Sequence, residues 1–186
     1  MPAAEGEETQ PAPRRGLDPW VRFTLLFALL ALGSELLYYG WVLGSPALEI
    51  YLHWIAAVSG WFIAFFDPQA SVSGSQIGSA FFIVDIAPEC DAVQLSALLA
   101  AAIVAFPAPW RARALGLVAG LAFLQAVNFT RIVSLYYVGG AFERHFHVAH
   151  ERGWPGLLIA LTVGTWLVWA RWAVPSRPDP EQGEGA

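Results

Sequence analysis

One cysteine, one arginine deep in an apolar run and one cluster of histidines are the side chains whose types and placing could do chemistry together. Cys90 is the sole cysteine of the chain and follows Pro88 and Glu89, where an apolar run begins. A helix start there would put partial positive charge and exposed N–H groups beside the sulfur, favouring the nucleophilic thiolate and offering donors to an oxyanion. Glu89 and Asp91 flank it and oppose that charge. The plainer reading of a lone cysteine is a small buried apolar residue. Arg131 interrupts a run whose other polar members, Gln125 and Asn128, precede it at i−6 and i−3, on the same helix face. A charge inside a span is costly and marks a functional site by default, though an arginine near a helix end can also snorkel. His145, His147 and His150 lie in the segment before the last apolar run. A neutral imidazole can take a thiol's proton and return it to a leaving group. Each could equally be a solvated side chain, and HFHVAH could bind a metal, but it lacks the surrounding carboxylate pattern of such a site. Nucleophile, base and fixed positive charge together suggest acyl transfer or peptide cleavage.

Composition removes other chemistries. All ten basic residues are arginine, so a Ser–Lys dyad, a Schiff base and a P-loop are absent. One cysteine excludes an internal disulfide, a CxxC pair and a multi-cysteine zinc site. The net charge of −5 with no basic run argues against nucleic-acid binding. Nothing demands a metal or an organic cofactor, and none is expected.

The elements that must position these residues are membrane helices. Of 186 residues, 56% are apolar and 13% charged, against about 45–50% and 25% in soluble domains, and the mean hydropathy is +0.51. Apolar runs fall at 21–43, 48–66, 91–107, 114–139 and 154–172. A span needs about 20 residues, and the third run reaches that length if it starts at Pro88. Trp20, Trp41, Trp110, Trp154 and Trp172 stand near run ends, as in interfacial aromatic belts. Arg22, the pair Arg111 and Arg113, and the pair Arg171 and Arg177 mark cytoplasmic ends by the positive-inside rule. Segments 67–90 and 140–153 then face outward. Five full spans cannot leave both tails inside, so one run does not cross. The second, with Glu49 and His53 after the Pro46 turn, is read as an interfacial or re-entrant outer helix. The alternative is a true span with the N-terminus outside. Gly116 and Gly120 form a GxxxG helix-packing pair. Residues 68–89, turn-like and then rich in β-formers, predict a small outer-face β-hairpin. The expected architecture is an all-α integral membrane bundle of about four spans and one interfacial helix. It occupies residues 20–173, between disordered cytoplasmic tails at 1–19 and 174–186. On this topology Cys90, Arg131 and the histidines reach the same outer face. Arg131 lies about 27 Å along a helix from Arg113.

The segment IAPECDAVQLSALLAAAIVAFPAPWRARALGLVAGLAFLQAVNFTRIVSLYYVGG with the later FHVAHERGW resembles the exosortase/archaeosortase family. The resemblance covers residues 71–172. It implies a multi-pass membrane protein with an invariant Cys, Arg and His, acting as a cysteine-type protease or transpeptidase. Its substrates would be exported proteins whose C-terminal sorting signal is a short motif, a transmembrane helix and a basic tail. The family's cysteine falls on Cys90, its N-x-x-R-I motif on Asn128, Arg131 and Ile132, and its histidine on His150. That last choice rests on Phe146, Ala149 and the spacing to Trp154, with His147 as the fallback base. The short length and the FPAPWRAR stretch look most like the compact exosortase H subgroup, whose partners carry an IPTL-x-x-WG signal. Two departures stand out: Ala92 where many members have Gly, and Asp91 in place of a small or amide residue. Gln94, one turn after Cys90, is a candidate oxyanion donor. The expected seat is the bacterial cytoplasmic (inner) membrane, with the lipid bilayer as surroundings and the site facing outward. Two rivals remain: a non-catalytic homologue that binds sorting-signal helices without cutting them, and a small transporter with Glu35 and Arg131 lining a path.

Overall fold

The structure, a computed structural model, describes residues 18–174. Nearly all of both expected tails therefore lies outside the described residues. Asp18 accepts a 2.8 Å bond from Trp20 N and Pro19 takes the first helical position, so helix α1 runs Pro19–Leu37. No residue of α1 is buried, which suits an apolar helix with lipid around it. A π-helical turn, Tyr38–Val42, continues it. Ser45 caps helix α2, Pro46–Ala64. Helix α3 is Val93–Ala105, α4 the long Trp110–Ala141, α5 the short Glu143–Val148, and α6 Trp154–Ala173. A second π-helical turn, Ala149–Gly153, joins α5 to α6.

Packing gives each helix a direction. Phe23 of α1 stacks on Trp166 of α6 and meets Phe106 edge-on, each at 5.9 Å between centroids, and Trp169 donates 2.9 Å to the carbonyl of Ala112. These contacts gather the start of α1, the end of α3, the start of α4 and the end of α6. At the other end, Tyr38 bonds Asp91 (2.9 Å), and Asn128 bonds the carbonyl of Cys90 (3.0 Å). So α1, α3, α4 and α6 alternate between two ends, and the described chain begins and finishes at the same one. The second helix behaves differently. Gln125 of α4 donates to Tyr51, near the start of α2, while Tyr137 donates to Ile63, near its end. Helix α2 therefore runs in the same sense as the outer part of α4 and does not return to the end where α1 began.

Four helical stretches are long and apolar enough to cross a membrane, Pro19–Val42, Pro46–Ala64, Trp110–Ala141 and Arg144–Ala173, whereas Val93–Ala105 is shorter. The protein is a polytopic helical membrane protein, with four candidate spans as expected, but length alone exchanges the second and third runs. The third run starts at Val93 and not at Pro88. Pro88–Cys90 is a 3₁₀ turn and Ala92 adopts φ 58°, ψ 10°, which breaks the helix. A helix of 13 residues rises only about 20 Å.

The expected hairpin is a three-stranded antiparallel sheet, in order β1 (Ser71–Ser73), β2 (Gln76–Gly78), β3 (Ile83–Asp85). Ser73 pairs with Gln76 across a two-residue turn in which Gly74 takes φ 63°, a left-handed value that favours glycine. Ile77 of β2 is fully buried against α2, where Gly60 leaves room for Val72. The rings of Phe82 and Phe81 lie where side chains on Gly139 and Gly140 of α4 would sit. One apolar cluster, including Ile55, Ile63, Ile77, Ile132 and Tyr136, lies under the sheet and contains Cys90; another, with Leu99, Ile103, Leu124 and Trp169, fills the opposite end.

Candidate active site

Cys90 closes the 3₁₀ turn that leads into α3, with its N–H on the carbonyl of Ala87 (2.8 Å). The residue is buried, at 6% exposure. His150 Nε2 lies 3.5 Å from Sγ, and Arg131 Nη2 lies 3.6 Å from it. Asn128 is fully buried one helical turn before Arg131, and its Nδ2 holds the Cys90 carbonyl. The same i, i+3 spacing on α4 thus aims one side chain at the cysteine's backbone and the next at its sulfur. Arg131 is 5% exposed, and its Nε has no hydrogen-bond partner among the described residues.

His150 sits in the second π-helical turn, and its ring stacks on Phe146 at 5.5 Å and 13°. Phe146 in turn meets Phe82 at 5.4 Å. The ring order Phe82, Phe146, His150 holds the imidazole over the sulfur. The other histidines are elsewhere. His147 pairs with Glu151 at 3.6 Å on an exposed surface, and His145 meets Phe142. No cluster of three or more metal-ligating side chains occurs among the described residues.

Two expectations need correction. The first N–H of α3 is not open to the sulfur or to an oxyanion, because Asp91 Oδ1 accepts from Val93 N at 2.7 Å. The positive group beside Sγ is the guanidinium of Arg131. Gln94 does not face the sulfur either: its Nε2 donates 3.1 Å bonds to Glu35 and Tyr39, on and just after α1. An amide engaged there is not aimed at a carbonyl on Cys90. Those bonds tie Glu35 to α3.

Sequence reasoning missed the frame around Asp91. Its carboxylate, 2% exposed, takes a bond from Tyr38 at 2.9 Å, and its carbonyl takes one from Tyr51 at 3.2 Å. Gln125 donates to Tyr51 at 2.6 Å. Three elements therefore grip the residue after Cys90. The available signal was tyrosine in apolar runs where phenylalanine would do, since a buried hydroxyl requires a partner. Ala92 also gains an explanation. It is the one non-glycine residue with positive φ in the described chain, and it stands at the position where many members of the resembling family carry glycine.

The three side chains border a cavity of about 420 Å³, whose wall includes β3, Ile132, Leu135 and Phe146. On its far side Arg131 also borders a smaller cavity of about 220 Å³, with Leu95 of α3 and Pro155, Leu158 and Ile159 of α6. A thiol, an imidazole and a guanidinium around an apolar cavity, on a helical membrane bundle, define a candidate cysteine-dependent site in a polytopic membrane protein. A model of the family described as transmembrane exosortase (Exosortase_EpsH) matches residues 16–170, and the chain belongs to that family. No curated protein and no solved structure matches it. Family membership associates this multi-pass membrane protein with the processing of sorting signals.

Proposed function

We propose that the chain is a cysteine-type peptidase or transpeptidase that cuts C-terminal sorting signals at the outer face of the cytoplasmic membrane. The observation that carries this reading is the approach of both His150 Nε2 (3.5 Å) and Arg131 Nη2 (3.6 Å) to Cys90 Sγ on the wall of one cavity. His150 takes the proton from Sγ, and the thiolate attacks the scissile carbonyl. Arg131 stabilises the resulting oxyanion. The tetrahedral adduct collapses as His150 returns the proton to the leaving amine, and a thioester to Cys90 remains. Water or an amine acceptor, deprotonated by His150, then attacks the thioester and frees Cys90. Asn128 positions the nucleophile through its carbonyl. The substrate's own transmembrane helix lies against the bundle and sets the depth of the scissile bond, so binding in two dimensions replaces a search in three. The active site faces the periplasm or exterior, and the domain at residues 20–173 is membrane-embedded.

The test is co-expression with a tagged protein ending in an IPTL-x-x-WG type signal, a helix and a basic tail. The C-terminal mass is measured with wild-type chain and with Cys90→Ala. Loss of the tail that requires Cys90 is the expected result, and the terminal mass separates hydrolysis from transfer to an amine. An intact tail across a panel of such signals would instead favour a homologue that binds signal helices without cutting, the reading to which the strained Ala92 beside Cys90 lends weight.

A further inference from the structure

Strand β3 stands last in the sheet order, paired on one side with β2. In an antiparallel ladder, alternate residues turn their main-chain groups to the same neighbour. Ser79 N donates to Phe82 O and Ile86 N donates to Ser75 O. Phe82, Val84 and Ile86 therefore face β2, and Ile83 and Asp85 direct their N–H and C=O groups to the other side. No described residue bonds those four groups. An edge left in this way is a template for another extended chain. This edge is also part of the wall of the 420 Å³ cavity that holds Cys90, Arg131 and His150. Asp85 precedes Cys90 by only five residues, and the chain between them turns at Pro88.

The cavity narrows what could pair there. Ile132, Leu135 and Phe146 supply apolar walls. The carboxylate of Asp85 is occupied by Ser75 (2.7 Å) and Gln76 (3.2 Å), and Arg131 is turned to the sulfur. Such a cavity suits uncharged side chains on a fully extended backbone. A peptide entering it as a helix would leave the open groups of β3 unmatched, whereas an extended one satisfies them.

We propose that β3 is the docking edge for the scissile segment. The substrate's motif adds as a fourth strand, hydrogen-bonded to the main chain of Ile83 and Asp85, and this pairing carries its backbone past Cys90 Sγ. The proposal rests on the peptidase reading above and adds to it how the peptide is held: main-chain pairing supplies the register, and the apolar walls select uncharged side chains.

The single cysteine makes a clean test possible, because Cys90→Ser leaves a cysteine-free chain. The reporter is one whose tail the wild-type chain removes, so failure to find such a reporter counts against the peptidase reading itself. In the Cys90→Ser background, Ile83→Cys, Asp85→Cys and Leu135→Cys are each introduced singly. Single cysteines are then scanned through the reporter's motif, and isolated membranes are treated with a short thiol-to-thiol cross-linker. Pairing on β3 places the preferred partner of Asp85→Cys two reporter residues from that of Ile83→Cys, in one direction, with the intervening position at least fivefold weaker. Cross-links to Leu135→Cys without that two-residue step would overturn the edge-strand proposal while leaving the peptide in the cavity. Absence of cross-links at all three positions would overturn it as well and move the substrate out of the cavity.

Discussion

The sulfur of Cys90 meets its two partners from opposite elements, His150 from the turn before α6 and Arg131 from α4. Their loss should therefore read differently. On the proposed peptidase reading, His150→Ala removes proton transfer and should slow processing about 10²–10⁴-fold. On the same reading, Arg131→Gln removes charge at the oxyanion and should cost about 10²–10³-fold. His147→Ala, on the exposed pair with Glu151, should leave the rate within about twofold; rates of tail loss in membranes check all three. At the same scale, Phe146, Ala149 and the spacing to Trp154 singled out His150 among the histidines, and it is His150, in a π-helical turn, whose Nε2 approaches the sulfur. Ala92 carries another prediction. A left-handed alanine costs about 1–2 kcal/mol, and glycine returns about 0.5–1 of any relief through its own backbone freedom. Ala92→Gly should raise stability by about 0.5–1 kcal/mol, measured by thermal unfolding in detergent.

Among the elements, the contact between α4 and the sheet holds the imidazole in place. Phe82 fits because Gly139 has no side chain, Phe146 rests on Phe82, and His150 stacks on Phe146. Gly139→Ala should cost about 1–3 kcal/mol by overpacking and should also lower the processing rate, although it lies far from the sulfur in sequence. The loop after α2 reaches the same junction through Asp67, whose Oδ2 accepts from Ser79 and from Tyr136, each at 2.6 Å. The Ser79 hydroxyl first, and the Tyr136 hydroxyl second, hold this carboxyl below its ordinary value of 3.8. A depressed folded value contributes stability above about pH 4 that is lost as the pH falls through it. Unfolding followed from pH 6 down to pH 3 should show a drop that Asp67→Asn reduces. The start of α3 shows why the elements were only partly legible. Pro88 reads as a helix opener, and nothing in the identity of Ala92 announces a left-handed backbone, so the helix seemed to begin five residues early. β3 was visible as β-formers, but its role as the outer member of a sheet depends on pairing that no local pattern states.

For the whole molecule, the distribution of arginines was the main statement the sequence made about topology. It required an even number of crossings, and the packing agrees in bringing the start of α1 and the end of α6 together. The apolar surface agrees too: Leu29, Val118 and Val168 are each about 70% exposed, a pattern for lipid and not for water. The approach of His150 and Arg131 to Cys90 was legible because the topology argument and the family resemblance pointed to the same residues. The grip of Tyr38, Tyr51 and Gln125 on Asp91 was not, since it joins residues up to 74 positions apart.

The shortness of α3 sets a length that the surrounding bilayer must meet. Beside the 32-residue α4, its 13 residues supply about 20 Å against a hydrocarbon core of about 30 Å. In general such a mismatch is met by lipid thinning or by drawing the helix end beneath the headgroups, and each costs a fraction of a kcal/mol per Å. On the proposed peptidase reading, bilayer thickness then becomes a control on processing. Reconstitution in phosphatidylcholines of increasing acyl length should give a rate that peaks in thin bilayers and falls in thick ones, as the scissile bond and the sulfur are drawn to different depths.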